Sequence, residues 1–169
     1  RALSLRDKHA MLPAGSPLST WLTWLETLHP TEIELGLDRV SAVLERLDLE
    51  PPEHVLLIAG TNGKGSSVAM TSALLQAAGL RVGAYTSPHI VDYNERIAIL
   101  DGDGRRLASD EEIVAAFERV ESVRGGISLT YFEYGTLAAA VRWRSTRAAT
   151  RLRAAASVVR SLVINWSPG

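Results

Sequence analysis

The sequence predicts an α/β fold, a parallel sheet with flanking helices, and three observations carry that reading. The first is the apolar run Val55–Ile58, bounded by Pro51-Pro52 upstream and Gly60 downstream, the pattern of a strand covered on both faces. The second is the turn that follows at once, Gly60-Thr61-Asn62-Gly63-Lys64-Gly65-Ser66-Ser67, which leads into a helical stretch. The third is another short apolar segment, Arg81–Thr86, at the distance that a βαβ unit requires. It makes a parallel pair of strands joined by a crossover helix.

Taken in order, Leu12–Ser19 is a lead-in containing proline, glycine and serine, and Ser19 or Thr20 caps a helix carrying Trp21, Leu22, Trp24, Leu25 and Leu28 at helical spacing. That helix ends before Pro30, Thr31–Leu37 connects, and a second helix runs through Val40, Val43, Leu44 and Leu47 to the Pro51-Pro52 break. After the organising strand comes a helix over about Lys64–Ala78, with Val68, Leu74, Leu75 and Ala78 as packing positions and Gly79 as its cap. Ser87-Pro88-His89 stops the second strand. Arg96–Leu100 reads as a strand, Asp101–Gly104 as a hairpin turn, and Ser109 with Glu112 as a capping box for a helix through Ile113, Val114, Phe117 and Val120, which Gly125-Gly126 ends. Ser128–Thr136 leads into a last helix through Leu137–Val141, and there is no internal repeat.

The 169 residues suffice for about one domain, and 46% hydrophobic with 22% charged residues is an ordinary globular composition. The absence of cysteine excludes a disulfide framework, a thiolate metal site and a thiol nucleophile. No apolar run approaches the ~18 residues that span a bilayer, and Arg1–Ala10 is mixed in charge, so the expected location is cytoplasmic, with no membrane partner. The chain opens on Arg1 rather than Met, which points to a start further upstream. Its net charge of −1 hides an asymmetry: residues 1–133 hold 12 basic and 19 acidic residues, for −7, whereas residues 134–169 hold six arginines and no acid, for +6.

The glycine turn has the chemistry of a phosphate cradle. Gly60, Gly63 and Gly65 let successive backbone N–H groups and a helix N-terminus converge on an anion; Lys64 reaches the β- and γ-phosphates, and Ser66 or Ser67 faces the phosphates or their Mg²⁺. The strict P-loop spacing fails, because Ile58 stands where its first glycine belongs and Gly65 separates the lysine from the serine. Open α/β sheets bind ligands at the carboxyl ends of their strands, so the Ser87-Pro88-His89 loop should lie beside the cradle, with the Ser87 hydroxyl as an oxygen ligand for Mg²⁺. His89 reads first as a hydrogen-bonded loop residue, and Asp92, Glu95 and Arg96 as a charged loop balanced between solvation and function. Glu133, between Phe132 and Tyr134, needs a hydrogen-bond partner if buried, and a ring with donor nitrogens such as a pterin would supply one.

Gly-Thr-Asn-Gly-Lys-Gly-Ser between strand and helix resembles the variant P-loop of the Mur-ligase-like, ATP-dependent amide ligases. With Ser-Pro-Leu-Ser-Thr-Trp-Leu, Glu-Leu-Gly-Leu-Asp-Arg-Val, Tyr-Thr-Ser-Pro-His-Ile, Asn-Glu-Arg-Ile and Leu-Thr-Tyr-Phe-Glu-Tyr-Gly-Thr-Leu, the stretch from about Ser16 to Ala139 resembles the N-terminal part of bacterial dihydrofolate synthase/folylpolyglutamate synthase. The resemblance implies an incomplete Mur-ligase-like ATPase domain and a ligase of folate biosynthesis and one-carbon metabolism. ATP would phosphorylate a pteroate or folate carboxylate, and the amine of L-glutamate would attack the acyl phosphate. By that similarity Gly60, Thr61, Asn62, Gly63, Lys64, Gly65 and Ser66 hold ATP, Lys64 is the catalytic cation, and Ser87 binds Mg²⁺. Glu32, Ile33, Glu34, Thr130, Tyr131, Phe132 and Glu133 line the dihydropteroate pocket. The full-length family implies a monomer acting on small molecules, without nucleic acid.

After Thr136-Leu-Ala-Ala the pattern departs. The family continues with a helix, an apolar strand ending in a glutamate that supplies another Mg²⁺ ligand, and later a glutamate-binding domain, none of which this sequence matches. The expected division is therefore residues 1–140 as the N-terminal part of the ATP-binding domain and 141–169 as a divergent Arg/Ala-rich tail, as a frameshift or truncation near Ala140 would produce. The expected product is a catalytically incomplete fragment. The alternatives are a nucleotide-binding module without ligase activity and a basic-tailed protein that binds polyanions.

Overall fold

The computed structural model describes residues 12–28, 37–49, 52–145 and 160–166. They fall into two compact units, one of helices and one built on a sheet.

The helical unit contains α1 (Leu18–Leu28), α2 (Asp38–Leu47), α4 (Asp110–Arg124) and α5 (Tyr131–Ser145). Each buries the stripe that its spacing dictates: Trp21, Leu25 and Leu28 on α1, Val43 and Leu47 on α2, Ile113, Phe117 and Val120 on α4, Tyr134, Leu137 and Ala138 on α5. Trp21, Trp24, Phe117 and Tyr134 interlock, with ring centroids 5.5–6.2 Å apart. The phenol of Tyr134 donates to Glu121 Oε2 at 2.8 Å, and that carboxylate is gripped by both Nε and Nη2 of Arg124, at 2.5 and 2.8 Å. Burial, with the Glu121 charge beside it, pushes the Tyr134 hydroxyl far above the usual phenol range. Gly125 closes α4 at φ +60°, and a Cβ there would stand 3.3 Å from Arg46 Nη1, which donates to the carbonyls of Val123 and Arg124.

Three sequence expectations change in this unit. The final helix begins at Tyr131, within the stretch read as a lead-in. Thr130 N–H donates to Glu133 Oε2 at 2.8 Å while Glu133 N–H donates to Thr130 Oγ1 at 3.2 Å, a reciprocal capping box ahead of Gly135 in the helix. The Glu133 carboxylate finds its second partner inside the chain, Arg39 Nη2 at 3.0 Å, so no ring nitrogen is needed to satisfy it. Glu112, expected in a capping box, accepts from Arg142 and so links α4 to α5.

The sheet unit orders its strands β1-β5-β2-β3-β4, where β1 is His54–Ala59, β2 Arg81–Tyr85, β3 Ile97–Asp101, β4 Gly104–Leu107 and β5 Arg160–Trp166. β1 and β2 both run parallel to β5, β3 is antiparallel to β2, and the expected turn at 101–104 joins β3 to β4. The two motif-bearing strands are thus parallel without being neighbours, because β5, from the tail, pairs between them. Helix α3 (Lys64–Ala77) packs Val68 with Val82, Ala84, Ala98 and Leu100, and Ile58 and Leu75 lean on that cluster. Gly79, at φ +82°, closes α3 as expected, with Gly79 N–H bonded to Gln76 O and Leu80 N–H to Leu75 O.

β1 is not covered on both faces. Side chains alternate along a strand, so Ile58 points to the α3 side, whereas Val55 (55% exposed) and Leu57 (63%) lie on the other face, which no described residue covers. An apolar run fixes strand propensity, but cover comes from other elements, and β1 forms one edge of the order. Leu74 and Ala78, expected to pack, are exposed as well; the inward positions of α3 are Val68, Ser72 and Leu75.

Candidate nucleotide site

β1 ends at Ala59 and the chain turns through Gly60–Gly63 into α3. Gly63 is the N-cap at φ +73°, a left-handed conformation that strains any residue with a Cβ, and the space beside it is open. The opening N–H groups of a helix have no partner within it, so the turn presents donors and the positive end of the α3 dipole together. Ser67 is tied into the helix, with its N–H and its hydroxyl both bonded to Gly63 O, at 2.9 and 3.0 Å. Lys64 Nζ folds back over the turn and donates to Gly60 O at 2.6 Å and Thr61 O at 3.0 Å. The ammonium thus sits over the turn, held among the described residues by neutral carbonyls that an anion can replace.

The carboxyl end of β2 lies at the same edge as that of β1, since both strands parallel β5. With one strand between them the two strands run about 10 Å apart at the usual strand spacing. The loop that leaves β2 is wired by charge. Arg96 is buried, at 7% exposure, donating Nε–H to His89 Nδ1 at 2.8 Å and Nη1–H to Ser87 Oγ at 3.1 Å, and it lies 5.3 Å from the centre of the Tyr93 ring. The Glu95 carboxylate collects the N–H groups of Ile90, Val91 and Asp92 at 2.8, 2.9 and 3.0 Å, closing a capping box with Asp92. Those backbone bonds, the one from Ile90 foremost, hold its carboxyl below the usual range. Thr86 is bonded to the carbonyls of both Glu95 and Arg96, and the Ser87–Pro88 peptide is cis. Arg96 and Glu95 therefore organise the loop, where the sequence left solvation as an equal reading; the Asp-x-x-Glu spacing was the available signal.

Among the other expected site residues, Thr130 and Glu133 are buried in the helical unit, joined by their capping box and held by Arg39, with Tyr131 and Phe132 half-buried beside them. Glu32, Ile33 and Glu34 lie outside the described residues. For a nucleotide the cradle fits: open glycines, a helix N-terminus and a lysine. For a divalent ion the chain offers hydroxyl oxygens at Ser66 and Ser87, and no cluster of three His, Cys, Asp or Glu side chains occurs among the described residues. That donor set suits Mg²⁺ carried on phosphates, which keeps several waters and takes few protein oxygens.

No family model matches the chain. A dihydrofolate synthase/folylpolyglutamate synthase of Escherichia coli (strain K12) is 50% identical over 127 residues, covering 75% of this chain and 29% of the relative. The same enzyme of Haemophilus influenzae is 45% identical over 129 residues, 76% of this chain and 28% of the relative. The family is dihydrofolate synthase/folylpolyglutamate synthase. A solved structure of Escherichia coli FolC in complex with DHPP and ADP matches at a TM-score of 0.78 and 40% identity, over 92% of this chain and 34% of that one. A bifunctional folylpolyglutamate synthase/dihydrofolate synthase of Yersinia pestis, complexed with AMPPNP and Mn ion, matches at 0.77 and 41%, over 92% and 35%. The chain spans less than a third of the length of these curated relatives. Their folate-ligase fold is the α/β class read from the glycine turn and its flanking strands.

Proposed function

We propose that this chain carries the nucleotide-binding part of an ATP-dependent amide ligase that joins L-glutamate to dihydropteroate or extends folate polyglutamates. One observation carries the reading: a lysine-bearing glycine turn at the start of α3 shares a sheet edge with the Ser87 loop, in a chain 50% identical over 127 residues to part of such a ligase. A carboxylate does not acylate an amine until it is phosphorylated, so the task of the protein is positioning and charge neutralisation, with no protein nucleophile.

In this reading Lys64 exchanges the carbonyls of Gly60 and Thr61 for phosphate oxygens, and the N–H groups from Asn62 to Ser66 close around them. The Ser67 hydroxyl donates to Gly63 O, so Ser66 is the hydroxyl proposed to donate to phosphate, while the oxygen of either serine can serve a metal. Mg²⁺, when bound, supplies charge neutralisation between the phosphates, and Ser87 lends it an oxygen. Thr130, Tyr131, Phe132 and Glu133 would line the dihydropteroate pocket, with each Glu133 carboxylate oxygen holding one bond inside the chain and keeping acceptor capacity beyond it. Glu32, Ile33 and Glu34 belong to the same assignment by resemblance.

The chain is also proposed to be incomplete as a catalyst. β5 is the strand between β1 and β2, and residues 134–169 contain no acid to serve as a second metal ligand. A coupled ADP-release assay with dihydropteroate, ATP, Mg²⁺ and L-glutamate tests this. Nucleotide binding without glutamate-dependent ADP release is expected, and sustained glutamate-dependent turnover by this chain alone would overturn its incompleteness. Binding of a polyanion in a salt-sensitive manner, with none of ATP, would instead favour the basic-tail alternative.

A further inference from the structure

We propose that Arg96 is a positioning residue for a nucleotide-borne divalent metal, holding the Ser87 hydroxyl and the His89 ring in one fixed arrangement. The inference rests on the reading of Ser87 as a metal ligand. Arg96 lies in a run of charged residues, yet it is buried and its guanidinium points inward at two acceptors on one loop. The two bonds come from different nitrogens of a rigid planar fork, so they fix the Ser87 and His89 side chains relative to each other, which a lysine with its single nitrogen does not do.

Each bond dictates what the acceptor offers on its far side. An imidazole nitrogen that accepts from a guanidinium carries no proton, so the neutral His89 ring bears its proton on Nε2 and presents a donor there. A hydroxyl has two lone pairs and one proton; the bond from Arg96 Nη1 engages one lone pair of Ser87 and so sets the direction in which its oxygen faces. The positive charge beside Ser87 disfavours a bare ion, and it is offset when the ion arrives with phosphates. The fork itself is held from below by the Tyr93 ring, whose edge also meets His89 at 5.8 Å. The segment between is pinned by the three amides on Glu95. Partners one step behind a metal ligand characteristically govern affinity by 10–100-fold.

The test is ADP titration with and without Mg²⁺ in the unaltered chain, Arg96→Met, Arg96→Lys and Lys64→Ala, with ¹⁵N spectra of the His89 ring assigned through His89→Gln. The gain in ADP affinity from Mg²⁺ should fall about tenfold or more in Arg96→Met. Affinity without Mg²⁺ should stay within about twofold, a split that general loosening of the fold would not produce, and Arg96→Lys should not restore the gain. An undiminished gain in Arg96→Met, or full recovery in Arg96→Lys, would overturn the proposal. The ring spectrum of the unaltered chain decides independently of how any variant folds: a proton on Nε2 is expected, and one on Nδ1 sinks the idea. If Lys64→Ala binds ADP as well as the unaltered chain, the nucleotide reading fails, and the His89 spectrum still judges the grip of Arg96.

Discussion

Single residues here settle charge through backbone amides as well as side chains. Glu95 has a depressed folded-state pKa, so its contribution is present above the ordinary carboxylate range and is lost as pH falls through that lower value. The amide signals of Ile90, Val91 and Asp92 should therefore shift together only below the ordinary glutamate range. Glu95→Gln should abolish that titration, whereas a midpoint at the ordinary value would contradict the three-amide cage. Gly63 makes a conformational prediction. Gly63→Ala should cost about 1–2 kcal/mol from left-handed strain, read as a lowered Tm, because nothing near its Cβ position adds a clash.

Among the elements, α5 depends on its start. Thr130→Val removes the hydroxyl that accepts from Glu133 N–H and should destabilise the chain by about 1 kcal/mol in urea unfolding. Apolar positions separate by cover: Phe117→Ala, at 0% exposure against the rings of Trp21 and Tyr134, should cost about 3–5 kcal/mol. Leu74→Ala, 70% exposed, should stay within about 0.5 kcal/mol. The elements themselves were legible, since the stripes Trp21-Leu25-Leu28 and Ile113-Phe117-Val120 and the turn at 101–104 are local patterns that survive in the fold. The start of α5 was hidden because Gly135 obscured a Thr-x-x-Glu box, and the inward face of α3 was misplaced because Leu74 is apolar without being covered.

The whole molecule shows where local reading stops. That β1 and β2 are parallel followed from the crossover helix, but that β5 pairs between them is a long-range fact no spacing announces. The glycine turn into α3 was legible because glycine, lysine and helix start are consecutive; the Arg96 grip on Ser87 and His89 was not, since an arginine among charges looks solvated until its burial is known. Exposure of Val55 and Leu57 likewise depends on what covers an edge strand, not on the strand's own residues. The turn at 60–66 is proposed to be a nucleotide cradle with Lys64 as its cation. Calorimetric titration with Mg²⁺-ADP measures it directly. Saturable binding that weakens at least about tenfold in Lys64→Ala, the loss of a charged hydrogen-bonding group, is the predicted result; equal affinity in the two chains would contradict the account.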